Sequence, residues 1–477
     1  MRLGLRADTR GAWRARVEGG ARIGSDLELA AAGSFLLDPG GAVELYELGT
    51  FHGLDDVRAW NASLKVAWRQ LTVVTAAGNA RRGVPTGPYG SVPGSAETWV
   101  DDLYTFVDLR FAEHWEGFDL EARAFFDHYR YRADLQFDYG DEGAPELVVN
   151  HDHGNSDAVG ASVQANVQAA ERLRLSFGAE IKHAFSVGQG NYDLEVYLDD
   201  ERTTTFGGLF AQGEWQIAPA LALDAALRLD GYDTFGFELS PRAALLFKPG
   251  ADATFKLLAG RAYRAPNQYE LHYRDGVSAK PAEDLEPEHI VSYELVWEQR
   301  IAAQLRAVMS VFHWQMRDLI SYVEDPADGR LTFINTDAAD AWGCEAQLDA
   351  SWIDGPEAAL SWSFADARDD RGVWLANSPR HQLKLQLGLP IVDHRLMLGL
   401  QATLTSPRKT RAADDTGWVP LVDLTLSSRD LVDGLELGLA AHNLLDFRYG
   451  VPGPEELAVD TVPQPGLRVS LSASYRF

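Results

Sequence analysis

Residues Gly466 to Phe477 read GLRVSLSASYRF, and this stretch decides the fold. Leu467, Val469, Leu471, Ala473, Tyr475 and Phe477 share one parity, while Arg468, Ser470, Ser472, Ser474 and Arg476 share the other. A period of two is a β-strand with one apolar and one polar face. Upstream, the same alternation runs through Trp60/Ala62/Leu64/Val66/Trp68, Leu173/Leu175/Phe177/Ala179/Ile181 and Leu435/Leu437/Leu439/Ala441. The opposite parity carries charge, as at Arg172, Arg174, Glu180 and Lys182. No segment shows a helical period.

Composition narrows what such strands can build. The 477 residues contain no apolar run long enough for a transmembrane helix. The mean hydropathy of -0.21 fits a soluble protein, but also a transmembrane barrel, whose two faces average out. A net charge of -27 argues against a nucleic-acid partner, since phosphates need a basic surface. The single cysteine, Cys344, leaves no disulfide framework, and it shares the lipid-facing parity of Ala346 and Leu348. The N-terminus has positive charges without the apolar core of a secretory signal, so either export is not needed or the native beginning is missing.

The connections alternate in length. Short ones such as Gly24-Ser25-Asp26, Arg69-Gln70 and Val432-Asp433-Gly434 carry tight-turn residues. Between them lie long ones, expected at 38–57, 79–97, 132–157, 189–202, 265–288, 321–338 and 447–464. This predicts an all-β fold: a transmembrane antiparallel up-and-down β-barrel of about 22 strands, with short periplasmic turns and long extracellular loops. Its solvent is the lipid bilayer. A pair of soluble sandwiches uses the same alternation, but their strands are shorter. Trp60 and Trp68 also lie about 20 Å apart along the membrane normal once the strand is tilted, which suits two aromatic girdles. The last strand is expected to close on the first, RLGLRAD, leaving no edge unpaired in lipid.

Three stretches resemble one family. GRAYRAPNQYEL, with Arg264, Ala265, Pro266, Glu270 and Leu271, is similar to the mid-barrel segment of TonB-dependent outer-membrane receptors. AHNLLDFRYG, with Asn443, Leu444, Leu445, Asp446 and Tyr449, resembles that family's penultimate strand and the loop leaving it. The closing SYRF, ending on Phe477, resembles the signal read by the barrel-assembly machinery. The resemblance implies the outer membrane of a Gram-negative bacterium and uptake of a scarce solute, such as siderophore-iron or cobalamin, driven through TonB. It also implies a barrel domain over 1–477, with the signal peptide and the plug outside this sequence. TonB would then be a partner only where a plug is supplied, and a barrel without one is alternatively a passive open pore.

No enzyme motif is present: no Walker loop, no G-x-S-x-G and no H-E-x-x-H. The chain is therefore expected not to be an enzyme and to hold no resident cofactor or metal. His151, Asp152 and His153, expected in a loop, could meet a metal or a metal chelate, though a solvated loop tip is the simpler account of them. Tyr192, Tyr269, His272 and Tyr273 are amphipathic groups able to contact a small-molecule or metal-chelate ligand, or to serve as interfacial anchors. Asp138, Asp141 and Glu142, then Asp199, Asp200 and Glu201, then Asp369 and Asp370 offer oxygen ligands for a loop-bound Ca2+, though a solvated charge run fits them too.

Overall fold

The structure is a computed structural model. It describes every residue except 46, 47, 142, 276–278, 283, 393, 394 and 458, and the backbone alone of 337, 430 and 431. Its 22 main strands form one antiparallel sheet closed into a barrel. The first strand, Arg2–Asp8, pairs on one side with Trp13–Ile23 and on the other with the last strand, Arg468–Arg476. Leu3 lies opposite Tyr475 and Ala7 opposite Leu471, and the Phe477 N–H donates to the Met1 carbonyl at 2.9 Å. Both chain ends thus sit at the short-turn end.

The two faces have opposite chemistry. Leu5, Leu64, Val163, Leu209 and Leu471 are exposed on the outer face. Trp68, Trp115 and Trp215 ring the short-turn end of that face, with Trp60 and Trp342 further up, and Leu64 lies midway between Trp60 and Trp68. Inward, ion pairs replace hydrocarbon. Asp108, 1% exposed, takes a bond from Arg110 at 2.6 Å and another from Arg123. Arg228 lies between Glu180 and Asp230, and Glu298 between Lys256 and Arg306.

Three expected loops are mostly strand. The stretches at 132–157, 189–202 and 321–338 continue the ladder in Phe118–Asp138, Leu147–Ala170, Leu173–Tyr192, Val196–Ala218, Leu305–Glu324 and Leu331–Ser351. Only residues 139–146, 193–195 and 325–330 connect them. Leu147–Ala170 has 24 residues, about twice what a tilted crossing needs, so its upper half projects beyond the membrane. The outer face of Phe118–Asp138 shows why the sequence hides this: Ala122, Ala124 and Phe126 give way to His128, Arg130, Arg132 and Asp134. Above lipid the outer face meets water, the apolar signature stops, and backbone pairing continues regardless.

The long connection at 265–287 holds a five-residue helix, Gln268–His272, too short for any helical period to register. Two small hairpins, Ala42–Leu45 with Gly49–His52 and Gly450–Pro452 with Thr461–Pro463, stiffen the connections at 39–56 and 443–467.

Candidate functional site

A cavity of about 1360 Å³ opens among the projecting strands and loops, and eight of the described tyrosines line it. Tyr129 and Tyr131 come from Phe118–Asp138, Tyr322 from Leu305–Glu324 and Tyr89 from the loop at 84–98. Tyr269 and Tyr273 come from the short helix and its C-terminal cap. These two rings, four residues apart on one helical face, lie 4.5 Å from each other. Tyr269 meets Phe333 edge-on at 5.7 Å, and Phe333 packs on Tyr322 at 4.5 Å.

The helix is held by charge and by its cap. Arg264 bonds both Glu270 carboxylate oxygens, at 2.9 and 3.0 Å, and reaches Glu288 at 2.6 Å. Asn267 accepts from the Glu270 N–H at 2.9 Å, and the Asn267 N–H donates to the Glu270 carboxylate at 2.8 Å, a complete capping box. Buried Pro266 starts the turn with its backbone preset. Gln189 then ties the helix to the wall through the Gln268 carbonyl at 2.9 Å.

Tyr89 is placed by an unusual backbone. Tyr89 and Gly90 have φ of 57° and 80°, and the Ser91 N–H bonds the Pro88 carbonyl at 3.0 Å, as in a turn with two left-handed central residues. That conformation is strained for a bulky residue. It is fixed by the Tyr89 N–H to the Glu456 carbonyl at 2.7 Å and by a hydroxyl contact with Tyr269.

Asp152 faces the cavity from the projecting part of Leu147–Ala170. Burial pushes its carboxyl up to about 7, against the opposing pull of the Asn191 amide and the His153 backbone N–H. Asp193 behaves differently: burial would raise it, but the Tyr139 and Tyr197 hydroxyls hold it below the ordinary carboxylate value. Asn191, opposite Asp152, and Asn150 exchange amide bonds at 3.0 and 2.8 Å and lock the wall.

A family model described as TonB dependent receptor-like, beta-barrel matches residues 181–444, more than half of the chain. The chain belongs to the TonB-dependent receptor family. The iron-regulated outer membrane virulence protein of Vibrio cholerae is 25% identical over 239 residues, covering 46% of this chain and 36% of that protein. The ferric enterobactin receptor of Pseudomonas aeruginosa is 26% identical over 317 residues, covering 56% of this chain and 42% of that protein. The chain thus matches less than half the length of either relative. Among solved structures, a ferric enterobactin receptor mutant from Pseudomonas aeruginosa in complex with enterobactin superposes at a TM-score of 0.80 and 18% identity. That match covers 100% of this chain and 81% of the other. The receptor barrel sits in the outer membrane of a Gram-negative cell.

In this TonB-dependent receptor barrel the sequence-selected residues separate. Asp152, Tyr269 and Tyr273 line the cavity, and His153 borders it along its strand while its ring keeps the outward parity of His151, 6.5 Å from that of Tyr192. His151 points to the other side of its strand, with Nδ1 2.7 Å from Asp134 and its ring 4.9 Å from that of Tyr192. His151 to His153 therefore belong to a strand and not to a loop, and neighbours in a strand alternate faces. Tyr192 ends its strand outside the cavity lining. His272 closes the helix, also outside the lining, and burial followed by nearby Arg202 holds its imidazole below its usual value.

The oxygen-rich stretches do not converge. Asp138 accepts the N–H groups of Gly140 and Glu146 at 3.0 and 2.9 Å, and Asp369 those of Arg371 and Val373 at 3.0 and 2.8 Å, so both are turn clamps. Asp199, Asp200 and Glu201 lie on Val196–Ala218, which sends adjacent side chains to opposite faces, and Glu142 is outside the described residues. Among the described residues no group of three His, Cys, Asp or Glu gathers.

The remaining family-like positions hold the frame. Asn443, at φ 50°, accepts from the Phe447 N–H at 3.0 Å and donates to the Pro465 carbonyl at 3.3 Å, joining the two ends of one loop. Asp446 accepts from the Leu467 N–H at 2.8 Å. Phe477 is 69% exposed and meets Tyr475 edge-on at 4.8 Å. Ala265 follows Arg264 into the helical loop. Sequence reasoning missed Tyr89, Tyr131, Tyr322 and Gln189. A P-Y-G-S turn at 88–91 was the one local signal for any of them.

Proposed function

We propose that the chain is the barrel of a receptor that captures a scarce metal chelate in the tyrosine-lined cavity and passes it inward in a TonB-driven step. The convergence of eight tyrosines from distant segments at the extracellular mouth carries this reading. Rigid aromatic rings give large contact area at little entropic cost, and their hydroxyls meet the polar rim of a chelate. The cavity is large enough for a siderophore-sized or cobalamin-like ligand. TonB coupling and a plug inside the lumen enter through family membership, as does assembly through the barrel machinery reading Phe477. No catalytic role is assigned to any residue.

Ferric chelates titrated into the purified barrel, with tyrosine and tryptophan fluorescence as the readout, test the proposal. Tyr131→Ala and Tyr269→Ala should each weaken binding about tenfold. Affinities unchanged in both variants would move the binding site elsewhere.

A further inference from the structure

The charge around this cavity is one-sided. Asp152, Asp275, Glu455 and Glu456 line it, and Arg411 is the only lysine or arginine among the described lining residues. The Arg411 guanidinium is already committed, donating to the carbonyls of Glu455 at 3.0 Å and Leu457 at 2.8 Å. The donors to Asp152, the Asn191 amide and the His153 backbone N–H, are both neutral. Phenols surround Asp152, with Tyr131 from the wall, Tyr89 from its loop, and Tyr269 and Tyr273 from the helix, and the further charges acting on these rings include the carboxylates of Glu456 on Tyr89 and Asp275 on Tyr273. A carboxylate beneath a set of π faces attracts cations twice over, by Coulomb force and by ring quadrupole, and repels anions by the same terms.

We propose that this cavity selects a cationic ligand, under the uptake reading a metal chelate of net positive charge, and discriminates against trianionic ferric tricatecholates. The charge preference rests on that reading only for the word chelate. Three dianionic catecholates around Fe3+ leave a trianion, whereas three hydroxamates leave a neutral complex that a pendant ammonium makes monocationic. The relative named for ferric enterobactin would then differ from this chain in the ligand charge it takes. Binding of a cation favours the ionised form of Asp152, whose carboxyl burial otherwise holds near 7, so cation affinity should rise as pH rises through that value.

Two probe pairs, each titrated into the full chain in detergent, test this. The first pair is a hexadentate ferric trihydroxamate with a pendant ammonium and a hexadentate ferric tricatecholate. The second is trimethylphenylammonium and benzenesulfonate, which involve no metal. The cation of each pair should bind about tenfold or more tighter at low salt, and the gap should shrink as salt screens it. Asp152→Asn should remove the pH slope, and adding Glu455→Gln and Glu456→Gln should close most of the gap. If neither chelate binds but the organic cation still outcompetes its anion, the uptake reading fails and the charge preference stands. An anion binding as tightly as its partner overturns the charge preference, and no binding by any probe overturns both.

Discussion

The wall of the barrel at membrane height and the same wall above it share one backbone ladder and reverse its chemistry. On Phe118–Asp138 the lower outer face is Ala122, Ala124 and Phe126, and the inner face there is Glu121, Arg123, Phe125 under the Arg123 guanidinium, and Asp127. Further up the outer face becomes His128, Arg130, Arg132 and Asp134, while the inner face becomes Tyr129, Tyr131, buried Ala133, buried Leu135 and Phe137. The period of two never breaks; its polarity turns inside out. The switch falls where Phe126 stacks with Phe185 at 6.5 Å and His128 comes within 2.8 Å of Asp157. Surroundings alone account for it. Lipid demands apolar side chains outside and leaves the lumen to ion pairs, whereas water outside lets the interior become aromatic and receive a ligand.

A charge on the outer face should have the largest effect. Leu64→Arg, midway between Trp60 and Trp68, should cost about 2–4 kcal/mol by urea unfolding in lipid vesicles, and Ser63→Arg on the inner face should be nearly silent. Asn155→Arg, outward but above the membrane, should be as tolerated as Ser63→Arg. Equal costs at Leu64 and Asn155 would erase the boundary drawn at Phe126.

The next test uses acidity. The folded Asp152 carboxyl is raised from 3.8 to about 7, so the folded state binds more protons than the unfolded one between those values. Stability of the upper wall should therefore fall as pH rises from about 4 to about 7 and then level off, by about 2 kcal/mol once partial exposure is discounted. Hydrogen exchange of residues 147–157 measures it, and Asp152→Asn should flatten the slope.

Smaller still is the loop frame. Asn443→Ala removes the bonds joining Phe447 to Pro465 and should cost about 1 kcal/mol, with faster proteolysis at 443–467. Smallest is His151→Gln. Its pair with Asp134 lies on the watered outer face, so stability should move by no more than about 0.5 kcal/mol and chelate affinity should not change. A loss of affinity there would show that the cavity reaches through the wall.

Much of the membrane-height wall was legible in the sequence because each strand reports its own surroundings. Trp60 to Trp68 and Leu467 to Phe477 alternate since lipid and lumen act on every residue separately, and that pattern with the turn residues gives a closed barrel. The GRAYRAPNQYEL stretch also marked the family, and its Arg264, Asn267 and Glu270 prove to be the clamp on a helix. Above the membrane the same reading turned strands into loops, because polar residues facing water look alike in either. His151 and Asp152 were read together, although the pleat sends one outward and the other into the cavity.

The alternation, the class of barrel and the family are all local properties of the chain. Which side chains share a site is not. Tyr89, Tyr131, Tyr269, Tyr322 and Glu456 meet across hundreds of residues because the closed sheet and the loops folded over its mouth bring them together. Local patterns record the solvent next to each residue, and a cavity is made by contacts between residues whose local patterns know nothing of one another.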